Sequence, residues 1–147
     1  MCPGVQDLYY FIPRKNPEVF DRYIQGLIKA GFKGDPSGYY KLHKENKMTG
    51  QEIRDSMLGK TTTGQCYGYQ WSIKESKSGE CELVDFFGAH KGKTWIEGDA
   101  VCRQYERLYD GLKDCADIYK NPEGDKKTLS EYLSLTDYGL FPFSIKE

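Results

Sequence analysis

Apolar positions along the chain follow two periods, and the change falls near Gly59. Upstream, Val19, Phe20, Tyr23, Ile24, Leu27 and Ile28 recur at spacings of three and four, which places them on one stripe of an α-helix. Asn16 suits its N-cap, Pro17 its first helical position, Glu18 the positive end of its dipole, and Gly31 a left-handed stop. Ahead of it, Leu8-Tyr9-Tyr10-Phe11-Ile12 is apolar enough to pack as a strand or an extended arm, and Gly34-Asp35-Pro36-Ser37-Gly38 behind it is a turn cluster. A second, shorter helix is predicted from Thr49-Gly50-Gln51-Glu52. In this capping-box sequence, hydroxyl and carboxylate each satisfy an end amide. Ile53, Met57 and Leu58 continue that helix, and Gly59 closes it.

Downstream the period is two. Residues 69–73, 81–87, 94–97, 100–105, 115–120, 131–135 and 140–145 read as strands, separated by Gly, Asp, Asn and Pro clusters. Gly79 turns the first pair, Gly98-Asp99 forms a tight hairpin, and Asn121-Pro122-Glu123-Gly124 has the composition of a type I turn. Strands at such regular spacing predict a meander that curls into a barrel to remove its edges. The expected fold class is therefore α+β: two short N-terminal helices, then an antiparallel β-meander curved or closed into a barrel-like sheet. One domain accommodates all 147 residues, with 1–15 as a lead-in arm, 16–58 as a helical front and 59–147 as the meander.

Twelve tyrosines, in a chain 14% aromatic, supply the core volume that scarce aliphatics do not, and each hydroxyl needs a partner. A formal net charge of −1 gives no electrostatic footprint for nucleic acid. No apolar run reaches the length of a membrane span, and Met1-Cys2-Pro3-Gly4-Val5-Gln6-Asp7 lacks the features of a signal peptide, so the expected location is cytoplasmic. The five cysteines, Cys2, Cys66, Cys81, Cys102 and Cys115, show no metal spacing, and His43 and His90 stand alone, so neither metal nor cofactor is expected. In a reducing compartment the cysteines are packed free thiols.

Candidate chemistry is thin. Gly59-Lys60-Thr61 ends like a phosphate loop but has Arg54 where its first glycine belongs, and Gly88-Ala89-His90-Lys91-Gly92-Lys93-Thr94 is one residue short and runs into a strand. Glu97 and Asp99 are a conceivable acid–base pair, although Asp99 in a turn more often bonds local backbone amides. Cys102 and Cys115 lie on neighbouring predicted strands. A bridge between them would close a loop of about 14 residues and contribute about 3 kcal/mol; as free thiols, they would simply pack. Arg103 and Arg107 near Tyr105, Tyr109, Tyr119, Tyr132 and Tyr138 suit either an anionic or aromatic ligand or ordinary sheet packing.

The order of these pieces resembles the region C-terminal to the catalytic domain in bacterial class III adenylate/guanylate cyclase proteins. The resemblance rests on Arg22-Tyr23-Ile24-Gln25-Gly26-Leu27-Ile28-Lys29-Ala30-Gly31, Met48 through Arg54, Leu58-Gly59-Lys60-Thr61 and Trp95 through Cys102. It extends through Tyr119 to Gly124 and Thr136 through Ser144, and covers about residues 17–144. It implies an accessory module for regulation or ligand sensing and carries no catalytic residue with it. Related secreted domains share the Gly-Asp-x-x-Cys hairpin followed by a second cysteine, which keeps a Cys102–Cys115 disulfide among the expectations.

The leading expectation is a non-enzymatic sensory or regulatory module. It binds a small apolar or aromatic ligand, or a partner protein domain, with Trp71, Phe86, Trp95, Tyr105 and Tyr119 lining the site. The rivals are a small enzyme using Glu97, Asp99, His90 or a cysteine in a cleft, and a structural or dimerising unit.

Overall fold

The computed structural model describes residues 22–23, 25–27, 29–31, 42–66, 68–137 and 139–146. Eight antiparallel strands form one closed barrel: β1 (Thr61–Cys66), β2 (Tyr69–Glu75), β3 (Glu80–Asp85), β4 (Gly88–Glu97), β5 (Ala100–Tyr105), β6 (Asp114–Lys120), β7 (Tyr132–Thr136) and β8 (Gly139–Lys146). Each strand pairs with its successor, and β8 returns to β1 through the register Thr61↔Lys146 to Gly64↔Phe143. The predicted barrel-like meander is thus a closed barrel, and the molecule is mostly β.

Among the described residues, the second expected helix is α1 (Gly50–Met57), preceded by a 3₁₀ turn at Lys44–Asn46. Of the longer predicted helix, Arg22, Tyr23, Gln25, Gly26, Leu27 and Lys29 are helical, and Gly31 has φ +92°. The apolar residues Val19, Phe20, Ile24 and Ile28, the lead-in arm and the turn cluster at 34–38 lie outside the described residues. Among the described residues no helix is long and apolar enough to cross a membrane.

Helix α1 has both halves of its capping box. Thr49 Oγ1 accepts from the Glu52 amide at 3.3 Å, and Glu52 Oε2 accepts from the Thr49 amide at 2.8 Å. Lys120 Nζ donates to Glu52 Oε1 at 2.7 Å and ties the helix to β6. These partners, Lys120 first and the Thr49 amide next, hold the Glu52 carboxyl down at about 2. On the other face Ile53, Met57 and the preceding Met48 pack with Val101, Ala116, Ile118 and Phe143, residues that point into the barrel. The helix therefore plugs one end. Asp99 fixes it there: its carboxylate does not bond local amides, as the turn composition predicts, but accepts from the Gly50 amide of α1 at 2.7 Å. A Cβ at position 50 would collide with the Gly98 carbonyl, so the hairpin can seat on the helix only because residue 50 is glycine.

Three strand readings also change. Strand β1, Thr61-Thr62-Thr63-Gly64-Gln65-Cys66, has no apolar alternation to announce it, yet it pairs on both sides. Strand β4 begins six residues before the predicted Thr94, because β3 supplies pairing partners along Gly88–Lys93, joined by β5 at Gly92 and Lys93, whatever the side chains. At the other end of β3, Phe86 and Phe87 leave the sheet. The Phe87 amide donates to Asp85 Oδ1 at 2.8 Å and closes a turn in place of two more strand residues.

Candidate functional site

Strand alternation decides what faces inward. Thr62 and Gly64 of β1, Trp71 and Ile73 of β2, Leu83 of β3, Arg103 and Tyr105 of β5, Ile118 of β6, Ser134 and Thr136 of β7, and Phe143 of β8 form the interior face. Several are small. An eight-stranded barrel is just wide enough to be filled by side chains or to hold one small ligand, and short residues leave the second outcome. A cavity of about 680 Å³ results. Trp71 lies over its cross-strand neighbour Gly64 because that residue has no side chain: a Cβ there would stand 2.5 Å from Trp71 Cζ2. Met57 of α1 forms part of the floor.

The opposite end is open, and its rim is aromatic. Tyr69 and Phe86 pack with centroids 4.7 Å apart, and Phe86 meets Phe87 edge-on at 5.5 Å. Phe86 is 66% exposed and Phe87 85%, although both line the cavity mouth. From the β5–β6 loop, Tyr109 joins them. It and Asp110 are held at φ 54° and 56°, a left-handed conformation that costs non-glycine residues roughly 1–2 kcal/mol each. The Gln104 side chain steadies that loop by donating to the Gly111 carbonyl at 2.8 Å. The loop directs Tyr109 toward Tyr105, 6.3 Å away between centroids.

An ion pair between Arg103 and Glu75 is buried in the barrel. Arg103 Nε donates to Glu75 Oε1 at 2.9 Å, Arg103 Nη2 donates to the same oxygen, and Thr94 Oγ1 donates to Glu75 Oε2 at 3.2 Å. Burial on its own would lower the basicity of Arg103, but the Glu75 carboxylate beside it prevails and keeps the guanidinium firmly protonated. Burial pushes the neighbouring Tyr105 hydroxyl well above its ordinary range and the Cys81 thiol up to about 11. At the rim, His90 Nε2 lies 3.2 Å from Asp85 Oδ1.

Of the five residues expected at the ligand site, Trp71, Phe86 and Tyr105 line the cavity together. Trp95 and Tyr119 do not. Trp95 is paired with Cys102 on the outer face, where its Nε1 donates to Glu97 Oε2 at 3.2 Å, and Tyr119 packs outside against Leu133, Leu135 and Leu140. Alternation puts both on the wrong side of their strands. Arg103, Tyr105 and Tyr109, grouped in the sequence as one alternative for gripping a ligand, all line this cavity; Asp85, Asp114 and Glu75, the last 28 positions from Arg103, carry no such signal.

Cys102 and Cys115 face each other across β5 and β6, joined by a disulfide. Glu97 approaches both sulfurs, but sulfurs bonded to each other offer no thiolate for a metal or a nucleophile. Hydrogen bonds from Trp95 and Lys113 hold the Glu97 carboxyl below its usual range. Glu97 and Asp99 sit at the plugged end of the barrel. His90 lies seven residues back along β4, roughly 23 Å away in an extended strand. Of the residues named for an enzymatic site, Glu97 thus meets only the two bonded sulfurs of Cys102 and Cys115, and His90 lies apart from them. Compared with family models, curated proteins and solved structures, the chain matches none of them.

Proposed function

We propose that this protein is a non-enzymatic binding module that holds one small, largely apolar or aromatic molecule inside its barrel, in a sensory or regulatory role. The observation that carries this reading is the cavity of about 680 Å³, plugged by α1 at one end and rimmed by exposed aromatic rings at the other. Exposed rings beside an apolar cleft are what a ligand would cover, and such a volume lies in the range of small-molecule sites. The resemblance to the tail of bacterial cyclase proteins agrees with a sensing role. The Cys102–Cys115 disulfide favours an oxidising compartment over the cytoplasm.

Titration with a neutral apolar fluorophore, N-phenyl-1-naphthylamine, tests the reading in a Trp95→Phe background, where Trp71 is the sole remaining tryptophan. Saturation at one molecule per chain, with a matching change in Trp71 emission, is expected. Binding that never saturates, or that leaves Trp71 emission untouched, overturns it.

A further inference from the structure

On the outer face of the barrel, apart from the cavity, three side chains able to ligate a metal meet. Among the described residues, a carboxylate oxygen of Glu97 and the sulfurs of Cys102 and Cys115 all lie within 4.8 Å of one another. Strand pairing puts them there. Cys102 faces Cys115 directly across β5 and β6, and Glu97 ends β4, the strand on the other side of β5. In the oxidised chain the two sulfurs are bonded to each other. Cutting that bond turns the group into two thiolate ligands beside a carboxylate. Such a donor set suits a borderline-soft divalent ion, Zn²⁺, far better than Mg²⁺ or Ca²⁺.

The spacing matches that ion. Tetrahedral zinc, with Zn–S about 2.3 Å and Zn–O about 2.1 Å, sets oxygen and sulfur about 3.6 Å apart and two sulfurs about 3.8 Å apart. Glu97 Oε2 already lies 3.7 Å from Cys102 Sγ. Once the link is cut, the sulfurs need only swing apart about their Cα–Cβ bonds, because the register of β5 and β6 keeps the two residues opposite each other. The carboxylate is ready as an anion, since hydrogen bonds from Trp95 and Lys113 hold it below its usual range. Trp95 Nε1 donates to Oε2 at 3.2 Å and fixes its orientation. Lys113 Nζ donates to both oxygens, at 3.2 and 3.1 Å. A zinc ion takes its place on Oε2 and leaves it on Oε1. There the ammonium offsets the single negative charge that two thiolates and a carboxylate leave on Zn²⁺.

We propose that Glu97, Cys102 and Cys115 form a redox-gated zinc site, closed while the disulfide stands and opened by a dithiol reductant. The two thiols of the reductant become a disulfide; its two electrons cleave the Cys102–Cys115 bond, and each sulfur takes up one proton. Binding of Zn²⁺ then releases both protons and leaves two thiolates on the metal. Co²⁺ serves as the visible probe, in a Cys2→Ser/Cys66→Ser background that leaves Cys81 as the only other cysteine. Burial pushes that thiol up to about 11, so it competes poorly. Chain treated with dithiothreitol, then freed of it under nitrogen, is expected to bind one Co²⁺ with a thiolate-to-cobalt charge-transfer band that added Zn²⁺ abolishes. Untreated chain should show no band, and a band there overturns the gating. Glu97→Gln should weaken binding to the reduced chain at least about tenfold, a loss that thiols on an unfolded chain would not show. Absence of the band in the reduced chain overturns the site. So does equal binding by Glu97→Gln, because the cysteines would then act without the carboxylate. Circular dichroism follows the fold throughout: a reduced chain that unfolds must refold when Zn²⁺ is added, and failure to refold overturns the site as well.

Discussion

Replacing Glu75 with Gln tests whether the barrel interior depends on its ion pair. The Glu75 side chain has no exposure and that of Arg103 only 11%, so solvent screening offers the pair little relief. Glutamine keeps the size of the side chain and one oxygen acceptor, but it leaves the guanidinium buried without a counter-charge. Breaking a buried pair on one side costs about 3–5 kcal/mol, and the retained acceptor argues for the lower end, about 3 kcal/mol. In a chain of this length that amounts to a fall of roughly 6–12 °C in Tm. Arg103→Met strands the carboxylate instead and should cost a similar amount. Glu75→Gln/Arg103→Met removes both charges and should cost only about 1–2 kcal/mol, giving a coupling energy of several kcal/mol of opposite sign to the single losses. Urea unfolding followed by tryptophan emission measures all four proteins, with equal m-values required for the comparison. A single-variant loss below about 1 kcal/mol, or a double-variant loss equal to the sum of the singles, would refute the reasoning.

Two further outcomes are expected. Because the Glu52 carboxyl is held at about 2 in the folded chain against an ordinary value of 4.5, its contribution is present above pH 4.5 and is lost as pH falls toward 2. Glu52→Gln should therefore flatten the acid limb of the stability–pH curve in that window, and an unchanged slope would remove Glu52 from the account. Cys102→Ser/Cys115→Ser opens a link between residues 13 apart and should cost about 3 kcal/mol in denaturant unfolding. Wild-type protein under reducing conditions should lose a similar amount, and insensitivity to reductant would count against the bridge.

Local chemistry made some elements legible and left others silent. The capping box of α1 could be read because Thr49 and Glu52 act three residues apart. The Gly98-Asp99 turn was legible from composition, yet the target of Asp99 was not, since Gly50 is 49 positions away. Strand β1 went unread because threonine, glycine and glutamine give no apolar alternation; its place is set by neighbours on both sides. Aromatic content announced a Tyr-rich interior but not its phase. Trp95 and Tyr119 are as apolar as Trp71 and Tyr105, and a strand with both faces partly covered gives no signal of which side is inside. The Glu75–Arg103 pair was invisible for a different reason: nothing in a sequence distinguishes a charged residue facing water from one whose partner arrives through the register of β2, β3, β4 and β5.

The closed ring also constrains how molecules exchange with the interior. With β8 hydrogen-bonded to β1, no seam is left through which the wall can part cheaply, and α1 blocks one end. Among the described residues, the open end is the rim formed by Phe86, Phe87 and the Tyr109 loop. If the barrel holds a ligand as proposed, substitutions deep in it should act on how tightly the molecule is held, while substitutions in the rim, whose rings also line the cavity, should act on entry and exit rates as well.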